Sequence, residues 1–265
     1  MRLLMKLNIF ASGSSGNCLC LSSGSSHILI DAGISMRRTE TALRAAGLEL
    51  NDISGVLITH EHSDHISGLK MLIKHYELPV YAPHTIANRL RGMLPDIEPC
   101  LRIISVGQPF GLGSFLIRAF HTPHDTDESV GYRVEGGGSF AMATDMGHVT
   151  EEVLEALTGA DTVLIEANHD LELLSDGSYP IYLKRRILSG RGHLSNESCA
   201  KLAHYLCEHG TRQIILGHLS RENNRPDLAL SAVRSQLAGL PVELHCAPPL
   251  GGLSLAVREA APCCR

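Results

Sequence analysis

Four potential metal ligands occur within six consecutive residues of this sequence: His60, His62, Asp64 and His65. Imidazole and carboxylate groups are the usual ligands of zinc, manganese and iron in catalytic sites. Four such groups cannot all reach one ion from a regular helix or strand, but they can diverge from a turn between the two. We therefore expect His60 and His62 to bind one ion, while Asp64 and His65 bind a second ion about 3.5–4 Å away.

Chance clustering in a solvated turn is the alternative interpretation, because the chain contains 15 histidines. A turn with no function would gain nothing from so many titratable groups in the order H-x-H-x-D-H. The cluster follows the apolar segment Gly55–Ile58 and precedes a helical segment that begins near Ser67. The sequence therefore places the cluster at a strand-to-helix turn, where divergent ligands are possible.

The surrounding elements are predicted from short apolar runs and from helical periodicity. The strands are expected at Lys6–Phe10, Cys18–Leu21, Ile28–Ile30, Gly55–Thr59, Pro79–Tyr81, Phe115–Phe120, Val130–Val134, Phe140–Thr144, Thr162–Glu166, Gln213–Leu216 and Val242–His245. Helices are expected at Arg37–Ala46, Glu197–His209 and Asp227–Ala238, each followed by a glycine. The first half is strand-rich with one or two helices, and the second half holds the clearest helices. This distribution favours a layered α/β sandwich.

We expect one domain over residues 1–265, with an inserted surface loop at Leu171–Gly192 and a tail at 258–265.

Composition and charge limit the possible classes of protein. The net charge of −5 gives no global basic field, so nucleic-acid binding would have to rest on a local patch. The eight cysteines are scattered without a C-x-x-C pair, which predicts reduced thiols, including exposed ones at Cys263 and Cys264, in a cytoplasmic protein. We do not interpret the N-terminal residues as a signal peptide, and we expect no membrane-spanning segment.

The H-x-H-x-D-H motif resembles the signature of the metallo-β-lactamase superfamily. That resemblance implies a four-layer αββα sandwich with a two-metal hydrolase site. By the same resemblance, the remaining site residues are an aspartate that braces the histidine loop, a third histidine, an aspartate that bridges both ions and a last histidine: Asp31, His124, Asp145 and His218. His121 is the other candidate for the third histidine. His124 is favoured because it precedes the Gly131-Tyr132 pair by about seven residues, which is similar to the family pattern.

Further segments are similar to the phosphodiesterase branch of this superfamily. Gly192–Asn196 resembles an element whose histidine acts on the leaving group, which implies that role for His193. Glu166 is placed like the glutamate that orients this histidine. With the glycine-rich turn Ser12–Asn17, these features resemble the YycJ (WalJ) family over roughly residues 5–257. The resemblance implies a 5′→3′ exonuclease acting on DNA, and Asp64 counts as both a metal ligand and a catalytic residue.

The spacing between the motifs argues against other branches of the superfamily. Only 21 residues separate His124 from Asp145, too few for the long arm of the tRNA 3′-processing enzymes, and 73 separate Asp145 from His218, too few for an inserted cap domain. A thioesterase or lactonase of the glyoxalase II type is the alternative function, although the Thr-Pro-Gly-His-Thr element of glyoxalase II is replaced here by Thr122–Asp125. A flavodiiron-like redox protein would use iron in the same ligand set, but no flavin-binding domain is recognisable. We expect two divalent ions, and the ligand types suit zinc, manganese and iron alike.

Basic residues are the expected contacts to a nucleic-acid substrate, with DNA favoured over RNA. They are concentrated in the loop Leu171–Gly192, which contains Lys184, Arg185 and Arg186. Such side chains provide sequence-independent affinity by binding phosphates. Arg221 and Arg225 receive a similar, secondary assignment. For His169 and Asp170 there are two interpretations, lining the site or a structural role such as orienting a ligand, and the structural role is favoured.

Overall fold

The computed structural model describes residues 4–257, which form two mixed sheets packed face to face with helices on both outer surfaces. The strands are β1 (Lys6–Ala11), β2 (Cys18–Ser23), β3 (Ser26–Ile30), β4 (Ile53–Leu57), β5 (Val80–Pro83), β6 (Leu101–Ile104), β7 (Phe110–Leu112), β8 (Phe115–His121), β9 (Val130–Glu135), β10 (Ser139–Ala143), β11 (Thr162–Glu166), β12 (Gln213–Gly217), β13 (Glu243–Cys246) and β14 (Leu253–Ala256). The helices are α1 (Met36–Ala45), α2 (Ser63–Ile66), α3 (Leu69–Tyr76), α4 (His84–Met93), α5 (Glu151–Leu157), α6 (Leu171–Asp176), α7 (Ile181–Ile187), α8 (Asn196–Glu208) and α9 (Pro226–Gln236), with 3-10 turns at Leu50–Asp52 and Pro95–Cys100. The predicted four-layer αββα arrangement is confirmed.

The two sheets have mirrored strand orders. One runs β14-β1-β2-β3-β4-β5-β6 and the other runs β13-β12-β11-β10-β9-β8-β7. Pairing is parallel from β3 to β6 and from β10 to β13, and antiparallel elsewhere. The carboxyl ends of the parallel strands therefore meet at one edge of the sandwich, which is where open α/β sheets carry their ligands.

Burial explains why these segments form strands. Every residue of β10, β11 and β12 is buried, as expected of central strands covered on both faces. β8 instead alternates between buried and exposed positions over most of its length. One apolar core lies between the sheets and beneath α1, α3 and α4, and a second lies between the outer face of β10–β12 and the helices α5, α8 and α9.

Several sequence predictions of local structure were wrong. The first half contains α1, α2, α3 and α4, more than the one or two helices expected, and β6, β7 and β14 were not predicted. The segment Leu171–Gly192 is exposed over much of its length, but it is not irregular, because it contains α6 and α7. The expected tail at 258–265, with Cys263 and Cys264, lies outside the described residues.

No helix within residues 4–257 combines the length and the apolar character needed to cross a membrane.

Candidate metal centre

The carboxyl ends of β3, β10 and β12 each lead into a residue with a left-handed backbone. Asp31 has φ 59°, Asp145 has φ 56° and His218 has φ 54°. Non-glycine residues in this region are uncommon and cost about 1–3 kcal/mol each, and such strain concentrates at functional sites. At each strand end the chain turns sharply here, and three of the residues predicted for the site occupy these turns.

The first ligand set contains His60, His62 and His124, whose ligating atoms lie within 4.8 Å of one another. His60 and His124 are buried, whereas His62 is partly open to solvent. The structure brings His124 to this set and leaves His121 outside it. The His121 side chain is 54% exposed and faces the carboxylates of Glu128 and Glu152.

The second ligand set contains Asp64, His65 and His218, again within 4.8 Å of one another. Asp145 lies between the two sets. Its Oδ2 is 3.4 Å from His65 Nε2, and its Oδ1 is 3.4 Å from His218 Nε2 and 3.8 Å from His124 Nε2. The seven residues predicted to bind metal therefore converge in one cluster, with Asp145 between the two sets, and His60, His65 and Asp145 form a further close group that spans both sets.

Several atoms of this cluster are buried without a hydrogen-bond partner. They are His60 Nε2, His218 Nε2 and Asp145 Oδ2. Buried polar atoms in folded proteins are almost always paired, so these atoms indicate that a binding partner belongs between them. Imidazole nitrogens and carboxylate oxygens are donors that divalent transition metals accept. The site therefore suits the binding of divalent metal.

Asp31 supports the second ligand set from behind. Its carboxylate accepts hydrogen bonds from the backbone N–H and the hydroxyl of Thr59, and its Oδ2 lies 2.7 Å from His65 Nδ1. A carboxylate on the far nitrogen of a ligating histidine fixes the tautomer and the orientation of the ring. The resemblance implied that Asp31 braces the histidine loop, and these contacts support that role.

Glu166 is fully buried at the end of β11, and one of its oxygens holds two histidines. Its Oε1 lies 2.7 Å from His193 Nδ1 and 3.0 Å from His218 Nδ1. Its Oε2 accepts the backbone N–H groups of Met146 and Leu194. Burial alone would raise the pKa of this carboxyl, but the two imidazoles outweigh burial and lower it to about 2. The sequence predicted the contact with His193, whereas the contact with His218 was missed.

The loop Ser12–Asn17 also belongs to the site, which the sequence did not predict. Ser12 Oγ accepts the backbone N–H of His218, and Asn17 N–H donates to the backbone oxygen of Asp64 at 2.7 Å. Gly33 closes this contact, because a Cβ there would lie 1.6 Å from the Asp64 oxygen. The tight Gly-Ser-Ser-Gly-Asn turn was the available signal, but its partners are more than 40 residues away.

A set of polar side chains connects the loops that carry His193 and His218. Asn168 donates to the His218 backbone oxygen, and the Asn196 and Asn224 amides bond each other. Asp170 caps α6, whereas the buried ring of His169 has no hydrogen-bond partner on either nitrogen. Asp170 therefore has a structural role at α6, whereas the contacts of His169 do not assign it one.

The predicted substrate-binding residues differ in how they relate to the site. Arg186 forms an ion pair with Asp125, whose Oδ1 is 3.3 Å from His124 Nε2. Arg221 donates to Ser15 Oγ at 2.7 Å, and Lys184 donates to the Ser175 backbone oxygen. Other basic side chains differ in their surroundings: Arg185 is exposed, Arg191 donates to the backbone oxygens of His124 and Thr126, and Arg225 lies 3.5 Å from Asp227.

We expect the two ligand sets to release different numbers of protons when metal binds. Burial lowers the pKa of His60 and of His124, so both rings are neutral at pH 7. Burial also disfavours charge on His218 and His65, but nearby carboxylates raise the pKa of His218 to about 10 and that of His65 well above its usual value. The set containing His65 and His218 must therefore lose protons to bind an ion, and its affinity should rise about tenfold per pH unit for each proton released.

Calorimetric metal titrations at pH 7, in two buffers with different ionisation enthalpies, measure this release directly. The step at the set containing His65 and His218 should release more protons than the step at the other set. Equal proton release in both steps would contradict the assignment of charge.

Comparison with known proteins identifies the fold and the family. A family model described as a beta-lactamase superfamily domain matches residues 26–219. The chain is 37% identical over 253 residues to the exodeoxyribonuclease YycJ of Bacillus anthracis, covering 92% of this chain and 96% of that relative. It is 38% identical over 237 residues to the exodeoxyribonuclease WalJ of Streptococcus pneumoniae strain D39, covering 88% of each. The solved structure of YhfI from Bacillus subtilis, a metallo-β-lactamase fold protein, matches with a TM-score of 0.75 at 16% identity over 96% of this chain and 100% of that chain.

The fold and the ligand cluster define a metal-dependent hydrolase of the metallo-β-lactamase fold, as the sequence predicted. The matches that span most of the chain narrow this class to nucleases. The chain belongs to the YycJ/WalJ exonuclease family of the beta-lactamase superfamily.

Proposed function

We propose that this enzyme is a binuclear phosphodiesterase that removes nucleotides from DNA in the 5′→3′ direction, in the cytoplasm. The observation that carries the proposal is the position of His193. Glu166 holds its Nδ1, the ring borders the ligand cluster with Nδ1 3.8 Å from Asp145 Oδ1, and 23% of the side chain is open to solvent. An imidazole held in this way can protonate an oxygen that leaves phosphorus beside the metal centre.

The residues of the site have different roles in this proposal. His60, His62 and His124 would hold one ion, Asp64, His65 and His218 the other, and Asp145 both. Bound divalent ions lower the pKa of water from 15.7 to about 7 and stabilise charge on phosphoryl oxygens. Glu166 keeps the His193 ring oriented, so that its protonated form donates to the departing 3′ oxygen. This role of His193 is typical of general acid catalysis, which contributes about 10²–10⁴-fold to a rate.

The rim supplies contacts to the DNA backbone. Arg185, Arg186 and Arg221 are exposed and Lys184 is partly exposed, Arg186 pairs with Asp125 beside His124, and the protein as a whole carries a net charge of −5. Local positive charge of this kind binds phosphates without reading sequence. The curated relatives named exodeoxyribonuclease support DNA as the substrate.

The function is tested by incubating the enzyme with end-labelled double-stranded DNA that carries a 5′-phosphate, in the presence of Mn²⁺ or Zn²⁺. We expect stepwise loss of nucleotides from the 5′ end, and no loss with Asp64→Ala. Asp227→Ala is the matched control, because that carboxylate is 71% exposed on α9. Hydrolysis of a thioester such as lactoylglutathione, without cleavage of DNA or RNA, would move the enzyme to the glyoxalase II type.

The role of Glu166 predicts a change in pH dependence. Burial lowers the pKa of His193, but the Glu166 carboxylate outweighs burial and raises it. A general acid acts in its protonated form. We therefore expect kcat to stay constant at pH values below this raised pKa and to fall as the pH rises through it. Glu166→Gln removes the charge that raises the pKa, and we expect the alkaline limb of kcat to move to lower pH. An unmoved limb, measured with metal saturation confirmed, would contradict the role of Glu166.

A further inference from the structure

The helix α7 presents apolar side chains to solvent next to the metal cluster. Ile181 is 65% exposed, Tyr182 is 72% exposed and Leu188, which follows the helix, is 56% exposed. Ile187 is the buried residue of the helix, so it anchors α7 while the other three side chains remain outside. Exposed apolar residues grouped in this way mark an interaction surface.

Two contacts fix α7 relative to the cluster. The backbone N–H of His193 donates to the Ile187 oxygen at 2.9 Å. Arg186 forms an ion pair with Asp125, whose Oδ1 is 3.9 Å from His62 Nε2. The carboxyl-terminal end of α7 therefore lies at the rim of the metal cluster, and the side chains on the Arg186 flank face that rim.

Tyr182 lies on this same flank. Residues four apart are neighbours on a helix surface, so Tyr182 is about one turn, about 6 Å along the axis, from Arg186. The phenol ring therefore lies about one helical turn along α7 from the contacts at Arg186 and Ile187. Arg186 is placed to bind a backbone phosphate, and the ring of Tyr182 is placed to meet the adjoining base.

We propose that α7 is a stacking surface for a nucleobase of the substrate, with Tyr182 as the stacking ring and Lys184, Arg185 and Arg186 as the phosphate contacts. This inference rests on the proposed function and adds the way in which the strand is held. Aromatic rings beside basic residues are how proteins bind single-stranded nucleic acid without sequence preference, since every base has a face to stack.

Charge favours a nucleic acid over a second copy of the chain. The segment Leu171–Gly192 contains the basic residues Lys184, Arg185, Arg186 and Arg191 and the acidic residues Glu172 and Asp176. A two-fold interface on α7 would place the basic run of one copy against the same run of the other, and like charges brought together are unfavourable. A polyanion with flat bases matches both the charge and the ring.

The sequence offers a direct probe of stacking, because the chain contains no tryptophan. Tyr182→Trp would create the single indole of the protein. We expect its emission to be quenched when a single-stranded oligonucleotide binds, and not when inorganic polyphosphate binds. Tyr205→Trp is the matched control, because Tyr205 lies on α8 stacked on His209; its emission should not change with either ligand.

Substitution tests the contribution to affinity. Tyr182→Ala should weaken binding of a single-stranded oligonucleotide by about 5–100-fold, whereas Tyr182→Phe, which keeps the ring, should bind within about twofold of the wild type. An abasic site moved along the oligonucleotide should weaken wild-type binding at one position near the cleaved bond. At that position it should not weaken binding by Tyr182→Ala further, because the stacking partner is already absent.

The outcomes separate the two proposals. A wild-type enzyme that neither binds nor cleaves DNA overturns the nuclease function and this inference with it. A wild type that cleaves DNA, with undiminished binding in Tyr182→Ala and no quenching in Tyr182→Trp, overturns the stacking surface alone. Indole emission from the Tyr182→Trp variant that responds to vesicles containing phosphatidylserine, or to protein concentration, and not to oligonucleotide would also overturn it.

Discussion

Replacing Asp145 with asparagine is expected to reduce metal retention by the cluster and to lower kcat/KM on DNA by about 10³-fold or more, because the bridging role proposed for Asp145 needs a charge that the amide lacks. The carboxylate lies within 3.8 Å of imidazole nitrogens from both ligand sets. An amide of the same size lacks the charge that offsets two cations. Asparagine tolerates the left-handed backbone that Asp145 adopts at φ 56°, so the fold should survive the change.

Metal content by mass spectrometry and melting temperature by circular dichroism separate loss of metal from loss of fold. Asp227→Asn on the exposed face of α9 is the matched control and should retain both metal and activity. An Asp145→Asn enzyme with full metal content and wild-type turnover would remove Asp145 from the bridging position.

Replacing His193 with alanine should lower DNA turnover by about 10²–10⁴-fold, the usual contribution of a general acid, while metal content stays unchanged. The reason is that the 3′ oxygen of a nucleotide is a poor leaving group that requires a proton. The size of the loss should therefore depend on the leaving group. The p-nitrophenyl ester of thymidine 5′-phosphate releases a phenolate that leaves without a proton, so His193→Ala should lose much less activity with this substrate.

The comparison of the two substrates provides the check. An equal loss on DNA and on the aryl ester would mean that His193 binds substrate or supports a metal ligand and does not donate a proton. His204→Ala is the control, because that side chain lies on α8 next to Glu208 and far from the cluster.

The sequence predicted those parts of the site that depend on local order. Four of the ligands follow β4 within a few residues: His60, His62, Asp64 and His65. The strand-to-helix turn that separates their side chains could therefore be predicted from consecutive residues. Asp145 follows β10 and His218 follows β12 in the same way, and parallel pairing then brings these strand ends to one edge. Six of the seven predicted ligands converge for this reason, whereas His124 reaches them from the segment after β8, which pairs antiparallel with β9.

Contacts between distant segments were not predictable in the same way. Ser12 accepts the N–H of His218, 206 residues away, and no local pattern encodes that pairing. The helix α4 was missed because His84–Met93 follows a proline, has no acidic residue in its first turn and contains Gly92. The helix α5 was missed as well, although its sequence has a readable signal, since Thr150 caps the helix ahead of Glu151 and Glu152.

One oxygen of Glu166, Oε1, contacts both His193 and His218. Metal binding at His218 and the acidity of His193 should therefore affect each other. A bound metal that drew more electron density from the His218 ring would strengthen the hydrogen bond from His218 Nδ1 to this oxygen, which would then share less negative charge with His193. If His193 is the proton donor proposed above, the choice of metal ion would change its acidity, and by linkage the protonation of His193 would change metal affinity. Exchanging Mn²⁺ for Zn²⁺ should shift the alkaline limb of the pH profile as well as the rate. A lineage that adopts a different metal ion should therefore also change the pH range in which the enzyme is active, unless Glu166 loses its contact with His193 or with His218.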